Sequence, residues 1–181
     1  VNYSLTVPAL VEWTGTGGVV GNSSVNEAGH YGGLVTAASG TVVLSADLHV
    51  AYYTHPRING DLDANGHDVI LWRGSMLNVS GSVVGATMIH LLSTSMLSAV
   101  HNVSATESLL MESQSVLTAH DVSATAKLII ESQSLLTAAG HVAVGAGKVL
   151  EYHVYGVLTR GHCNSTSRQQ VGQSVNSVGE C

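Results

Sequence analysis

The sequence contains no phenylalanine, and it has few charged and few aromatic residues. Of its 181 residues only 10% are charged and 4% are aromatic, whereas about 25% of an average soluble domain is charged. The remaining residues are mainly Val, Leu, Ala, Ser, Thr and Gly. A chain poor in Lys and Glu and rich in small and β-branched residues disfavours long helices and favours an all-β fold.

Basic residues are scarce as well. Six Lys and Arg against twelve Asp and Glu give a net charge of −6, so the chain has no basic surface suited to nucleic acid or to an anionic membrane. Residues 74–106 contain no charged side chain, but they include seven Ser, three Thr, two Asn and two His. Because these polar residues interrupt the apolar ones, we do not interpret the segment as membrane-spanning.

Two features predict an oxidised, secreted glycoprotein. Cys163 and Cys181 lie in the polar C-terminal segment, where a disulfide would close a loop. Five asparagines begin N-x-S/T sequons: Asn2, Asn22, Asn78, Asn102 and Asn164. The chain begins at Val1 without a charged or apolar leader, and we expect a processed product that is extracellular or attached to the cell surface.

The sequence repeats itself at a short period. "ESQSVLTA" at 112–119 returns as "ESQSLLTA" at 131–138, 19 residues later. Aligned on this signal, successive units cover 74–93, 94–113, 114–132 and 133–153, with periods of 20, 20, 19 and 21 residues, and a fifth begins at 154. Such periods are typical of solenoids, in which each repeat stacks on its neighbours.

Within a unit the apolar residues come in three short clusters with a spacing near two. In the third unit we expect Val116, Val122, Leu128 and Ile130 to point inward. Helical repeats have longer periods, and the leucine-rich consensus is absent. A β-sandwich with similar strands remains the alternative.

This pattern resembles the parallel β-helix class, which includes pectin-lyase-like proteins, autotransporter passengers and many surface adhesins. The resemblance covers residues 74–159 and rests on period and pattern alone. It implies an all-β parallel β-helix with coils of 19–21 residues. We expect residues 1–39 to be a cap or docking segment, 40–159 to form coils, and 160–181 to be a polar tail closed by the disulfide.

Stacking would align equivalent residues in columns along the axis. The sequence predicts columns of Gln114 with Gln133, Ser113 with Ser132, and Asn102 with Asp121, which we interpret as structural. It also predicts a column of Glu112 and Glu131 continued by Glu151, and one of Lys127 with Lys148. We interpret these charged columns as a solvated face, although adjacent carboxylates can also bind a cation.

Candidate sites for chemistry are weak. His101, His120 and His141 occupy similar turns and form a weak candidate metal site, with no accompanying metal motif. The resemblance implies that enzymes of this fold carry dense charged clusters, and only Asp61, Asp63, Asp68 and Arg73 approach one. We therefore expect no catalytic residue and no cofactor.

Three functions remain in order of preference. The first is an extracellular structural glycoprotein that assembles end to end into a filament, sheath or appendage. The second is a carbohydrate-binding or adhesin module. The third is a polysaccharide lyase or hydrolase. An ice-binding face is disfavoured because only Thr118 and Thr137 repeat, without a T-x-T column.

Overall fold

The structure is a computed structural model. It describes residues 11–13, 40–44, 47–50, 52–53, 55–145, 149–152, 157–163 and 168–171. Side chains are described for those of these residues that lie between positions 40 and 145. The described residues form seventeen strands. These are β1 (Val11–Trp13), β2 (Thr41–Leu44), β3 (Leu48–Val50), β4 (Arg57–Ile58), β5 (Asp61–Asp63), β6 (Val69–Leu71), β7 (Met76–Val79), β8 (Val83–Leu91), β9 (Met96–Ala99), β10 (Asn102–Met111), β11 (Val116–Ala119), β12 (Asp121–Ala124), β13 (Lys127–Ile130), β14 (Leu135–Val144), β15 (Val149–Tyr152), β16 (Val157–Cys163) and β17 (Arg168–Val171).

The strands wind into stacked coils with three faces. Face A contains β2, β5 and β12, face B contains β3, β6 and β13, and face C contains β4, β7, β9 and β11. The long strands β8 and β10 bend from face A to face B, while β14 and β16 bend from face C to face A. Coil 1 comprises β2–β4, coil 2 β5–β7, coil 3 β8 and β9, coil 4 β10 and β11, and coil 5 β12, β13 and the start of β14.

Every strand from β2 onward pairs in parallel with the strand one coil away. Partners are separated by 19 residues at Asn102 and Asp121, by 20 at Val83 and Val103, and by 22 at Lys127 and Val149. The predicted all-β parallel β-helix is therefore confirmed, with a period close to the expected one. The β-sandwich is excluded, because a sandwich is built from antiparallel sheets.

The core of the described coils is a column of mainly aliphatic side chains along the axis. Each strand alternates buried and outward residues, because successive side chains of a strand point to opposite sides. Leu97, Leu117 and Leu136 stack on face C and are fully buried, as are Leu109 and Leu128 on face B.

The prediction for the third unit was right for Val122, Leu128 and Ile130, which are buried. It was wrong for Val116, which lies on the outer surface while its neighbour Leu117 is buried. The sequence offered two adjacent apolar residues, and alternation allows only one of them to point inward.

The repeated "ESQS" forms the corner between faces B and C. In coils 2 to 5 the first and fourth residues of this turn are joined by a backbone hydrogen bond, as from the Ser115 N–H to the Glu112 carbonyl at 3.0 Å. The third residue has a positive φ: 71° at Gly74, 61° at Thr94, 64° at Gln114 and 63° at Gln133. A positive φ at this position is the property of a type II turn.

The fourth residue of each turn is a serine that points inward. Ser75, Ser95, Ser115 and Ser134 are buried and stack in one column. The Ser115 hydroxyl lies 3.3 Å from the Ser134 hydroxyl, which donates to the Glu112 carbonyl at 2.5 Å. The Gln114 side-chain amide donates to the Gln133 carbonyl oxygen at 2.9 Å, so the predicted glutamine column is confirmed. Residues 112–119 and 131–138 are thus nearly identical because equivalent side chains of the two corners stack and bond to each other.

The corner between faces C and A depends on pairs of aspartate and glycine. The Asp61 carboxylate accepts a hydrogen bond from the Ser82 N–H of the next coil at 2.6 Å, and Asp121 accepts from the His141 N–H at 2.6 Å. A side chain at Gly81 or Gly140 would collide with these same carboxylates. Glycine in one coil therefore leaves room for the aspartate of the coil before it.

At the N-terminal end, β1 pairs antiparallel with β2, with Val11 opposite Leu44. At the other end, β16 and β17 pair in parallel with β14 and β15. Coil-like pairing thus continues beyond residue 159, into the segment expected to be a tail. Among the described residues, no helix has the length and apolar character needed to cross a bilayer.

Candidate functional site

Three aromatic residues with described side chains, Tyr52, Tyr53 and Trp72, lie together at the corner between faces B and C, in coils 1 and 2. The pairing of β3 with β6 places Tyr52 beside Arg73 and Tyr53 beside Gly74. We call His49, Tyr52, Tyr53 and Trp72 the aromatic corner. Three of the chain's eight aromatic residues therefore share one corner. Tyr and Trp are enriched at interfaces, where one end of the side chain is apolar and the other is polar.

Trp72 is the centre of the aromatic corner. Its ring centroid lies 5.4 Å from that of Tyr52 with the rings tilted by 38°, and 6.2 Å from that of His49 in a stacked arrangement at 23°. The indole N–H donates to His49 Nδ1 at 3.3 Å. This bond holds both rings and leaves the other imidazole nitrogen, Nε2, as the one that carries the proton of a neutral His49.

The tyrosines are exposed although they are large and apolar. Tyr52 is 41% and Tyr53 64% exposed. Tyr53 also has a φ of 57°, which is uncommon for a bulky residue. Its ring covers Gly74, where a Cβ would lie 2.5 Å from two ring carbons. The same turn position has a positive φ in coils 2 to 5, so this conformation belongs to the repeated corner, and at Tyr53 it presents a ring to solvent.

The predicted acidic cluster does not converge. Asp61 and Asp63 lie on face A, Asp68 between faces A and B, and Arg73 at the aromatic corner. The Asp68 carboxylate accepts from the Met88 N–H at 3.1 Å, and that of Asp63 from the Asn65 N–H at 2.8 Å. Together with Asp61, these carboxylates bind backbone N–H groups and so hold the coils and turns in place.

Two charged columns are corrected by the register. Glu112 and Glu131 are equivalent, but Glu151 pairs with Ile129, so it does not continue their column. Lys127 pairs with Val149 rather than with the predicted Lys148, which lies outside the described residues. Insertions between β13 and β15 lengthen this coil and move Glu151 out of the column. Glu112 instead contacts His90 of the preceding coil, with Oε1 2.9 Å from Nε2.

The histidine column is only partly formed. His120 follows His101, and its N–H donates to the His101 carbonyl at 2.7 Å. In the next coil Gly140 takes this place, while His141 moves onto face A, above Asp121 and paired with His162. Among the residues described, no group of three or more His, Cys, Asp or Glu side chains is placed to hold a metal ion.

The two sequons with described side chains differ in their surroundings. Asn102 begins β10 and is exposed, whereas Asn78 lies in the middle of β7 and is only partly exposed. Asn78 lines a cleft of about 260 Å³ on face C, together with Arg57, Ser80, Ser98 and Val100. Asn2, Asn22, Asn164 and Cys181 lie outside the described residues, and the Cys163 side chain does as well, so the disulfide stays a prediction.

Comparison with protein-family models, with curated proteins and with solved structures found no match. The strand pairing by itself defines the class as a three-faced parallel β-solenoid. Within the described coils, the aromatic corner is the candidate site.

Sequence reasoning did not select the aromatic corner. A signal was nevertheless present, because Trp72 occupies the position that holds Leu92, Glu112 and Glu131 in later coils. Tyr53 likewise occupies the turn position of Gly74 and Gln114. Both are visible only once the register of the less regular first coils is known.

Proposed function

We propose that this chain is an extracellular carbohydrate-binding β-solenoid, a rigid rod that binds neutral saccharide through the aromatic corner. The observation that carries the proposal is the grouping of the exposed Tyr52 and Tyr53 with the partly exposed Trp72 at one corner. The Trp72 ring is held there by its hydrogen bond to His49. Sugar rings present apolar C–H faces and polar rims, and aromatic side chains with polar neighbours bind such surfaces.

The proposed setting is the cell surface or the extracellular space, with glycans on some sequons and a Cys163–Cys181 disulfide. Asn102 is exposed and Ser104 is partly exposed, and because both lie on the outer side of β10 they support a glycan at this sequon. A solenoid whose described coils share one aliphatic core also suits a role as a spacer that presents a binding corner at a distance from its attachment point.

Binding to insoluble and soluble polysaccharides tests the proposal. We expect the chain to bind a neutral β-linked glucan, and the Trp72→Ala variant to lose about 3- to 10-fold in affinity, as the loss of one aromatic contact predicts. Leu135→Ala is the matched control, because Leu135 is an exposed apolar residue of face C, distant from the corner. Equal losses in both variants, or no binding to any polysaccharide, contradict the proposal.

Filament assembly is the second candidate, and one observation favours it. Among the described residues, β3 and β4 of coil 1 each pair on one side only, so they offer edges to another subunit. By contrast, β1 covers the edge of β2. Imaging of concentrated native protein separates the two candidates, because end-to-end fibres favour assembly and single short rods with saccharide affinity favour binding alone.

A further inference from the structure

The cleft on face C lies beside the aromatic corner and has a different chemistry. Its lining combines one guanidinium group, one amide and two hydroxyls with the apolar side chain of Val100, which is 60% exposed. The strand register brings these side chains together, because Arg57 of coil 1 pairs with Asn78 of coil 2, which pairs with Ser98 of coil 3. The polar groups therefore form one outward column across coils 1 to 3.

Arg57 is the positive charge of this cleft. Within the part of the chain whose side chains are described, its guanidinium forms no ion pair with a carboxylate. A guanidinium group presents paired N–H donors that match a carboxylate in a bidentate arrangement. A guanidinium without a carboxylate partner among the described side chains therefore favours an anionic ligand in this cleft.

The size of the cleft limits the ligand. About 260 Å³ is below the roughly 300–1,000 Å³ of typical pockets for drug-sized ligands, so the cleft suits a single sugar ring rather than a longer segment. Ser98 and Asn78 provide partners for ring hydroxyls, and Val100 provides an apolar contact for C–H groups. Ser80 accepts from the Gly60 N–H at 2.8 Å, and its own O–H remains able to donate.

The cleft and the aromatic corner are close enough to contact one saccharide chain. Tyr53 and Arg57 are four residues apart, so their Cα atoms are at most about 14 Å from each other. Gly74, beneath the Tyr53 ring, and Asn78 have the same separation in coil 2. One oligosaccharide can therefore cross face C from the rings to the guanidinium.

We propose that this cleft binds the carboxylate of a uronic acid residue through Arg57, so that the chain recognises an acidic saccharide. This inference rests on the proposed function, because the aromatic corner would hold the neighbouring sugar. It also requires Asn78 to carry no glycan, since a sugar on that amide would fill the cleft. Of the two described sequons, Asn102 is then the one that is modified.

Titration calorimetry with glucuronic acid, glucose and glucose 6-sulfate tests the proposal. We expect the full chain to bind glucuronic acid about tenfold more tightly than glucose, as one charge-assisted contact predicts, and more tightly than the sulfate. Arg57→Gln should abolish this preference and Arg57→Lys should retain part of it. Lys127→Gln, which removes a cation on face B of coil 5, away from the cleft and the aromatic corner, should leave it unchanged.

Equal affinity for glucuronic acid and glucose, a preference for the sulfate, or a preference that survives Arg57→Gln overturns the proposal. A glycan on Asn78, detected by peptide mass in protein secreted from a eukaryotic host, does so too. Cellohexaose binding measured on the same variants separates the two claims. Arg57→Gln should leave it intact, whereas failure of cellohexaose to bind wild-type protein contradicts the aromatic corner and leaves the test of the cleft standing.

Discussion

Coils 4 and 5 share their architecture with coils 1 and 2 but use the corner between faces B and C differently. In coils 4 and 5 the corner repeats, and Gln114 and Ser115 bond to the same residue types one coil on. In coils 1 and 2 the same turn carries aromatic side chains, with Tyr52 and Tyr53 at its second and third positions in coil 1 and Trp72 at its first position in coil 2. Residues that repeat from coil to coil are explained by stacking. The aromatic residues of the first two coils do not repeat, so stacking does not explain them.

The largest effect should come from breaking the common core. Leu117→Ala removes a fully buried side chain and should lower the free energy of unfolding by about 2–5 kcal/mol. Val116→Ala, one residue earlier on the outer side, should change it by about 0.5 kcal/mol or less. Chemical denaturation of the two variants measures the difference, and equal losses would contradict the assignment of inner and outer residues.

The next largest effect on stability should appear at the corner between faces C and A, where the aspartate–glycine pair of coil 2 occurs again in coil 5. A methyl group at Gly140 would collide with the Asp121 carboxylate, so Gly140→Ala should cost about 1–3 kcal/mol of stability. In the background of Asp121→Ala the cost should fall, because the colliding carboxylate is gone. A double-mutant cycle by denaturation checks this, and strictly additive losses would show that the two residues are not coupled.

A smaller effect, of opposite sign, should appear at Thr94. This β-branched residue has a φ of 61° at the turn position that Gly74 fills in coil 2. Thr94→Gly should therefore stabilise the fold by about 1 kcal/mol. Thr106→Gly is a control within coil 4, at a position without positive φ, and it should not stabilise. Thermal unfolding that ranks the two variants in reverse would be inconsistent with strain at this corner.

The smallest effect should come from the glutamine column. The bond between Gln114 and Gln133 is exposed, and the coupling of Gln114→Ala with Gln133→Ala should be about 0.5–1.5 kcal/mol. A double-mutant cycle gives this number directly. A coupling of zero would mean that the two glutamines repeat because of the turn conformation alone.

The sequence predicted the fold well because stacking imposes a period that a single chain displays. The 19-residue return of "ESQS" was enough to align Asn102 with Asp121 and Gln114 with Gln133. It failed where the coil length changes, as at Glu151, since a shift of one or two residues moves every later side chain to another position. It also assigned Val116 inward, because hydrophobicity alone does not choose between adjacent apolar residues.

The candidate site could not be predicted in the same way. Trp72, Tyr52 and His49 are separated by up to 23 residues, and they meet only because β3 pairs with β6 in coils whose sequences are irregular. The cleft of Arg57, Asn78 and Ser98 depends on a column that contains three different residue types. A search for repeats finds positions at which the same residue recurs in successive coils. The candidate site consists of positions at which the residue type changes from coil to coil.

Fluorescence of Trp72 tests the central claim most directly. The chain has two tryptophans, Trp13 and Trp72, so in a Trp13→Phe variant with unchanged unfolding behaviour the emission reports on the aromatic corner alone. Titration with cellohexaose should change this emission in a saturable way, and Tyr53→Asn, which tolerates the positive φ, should weaken the response by about 3- to 10-fold. An emission that stays constant while cellohexaose binds the protein would place the saccharide elsewhere and contradict the account.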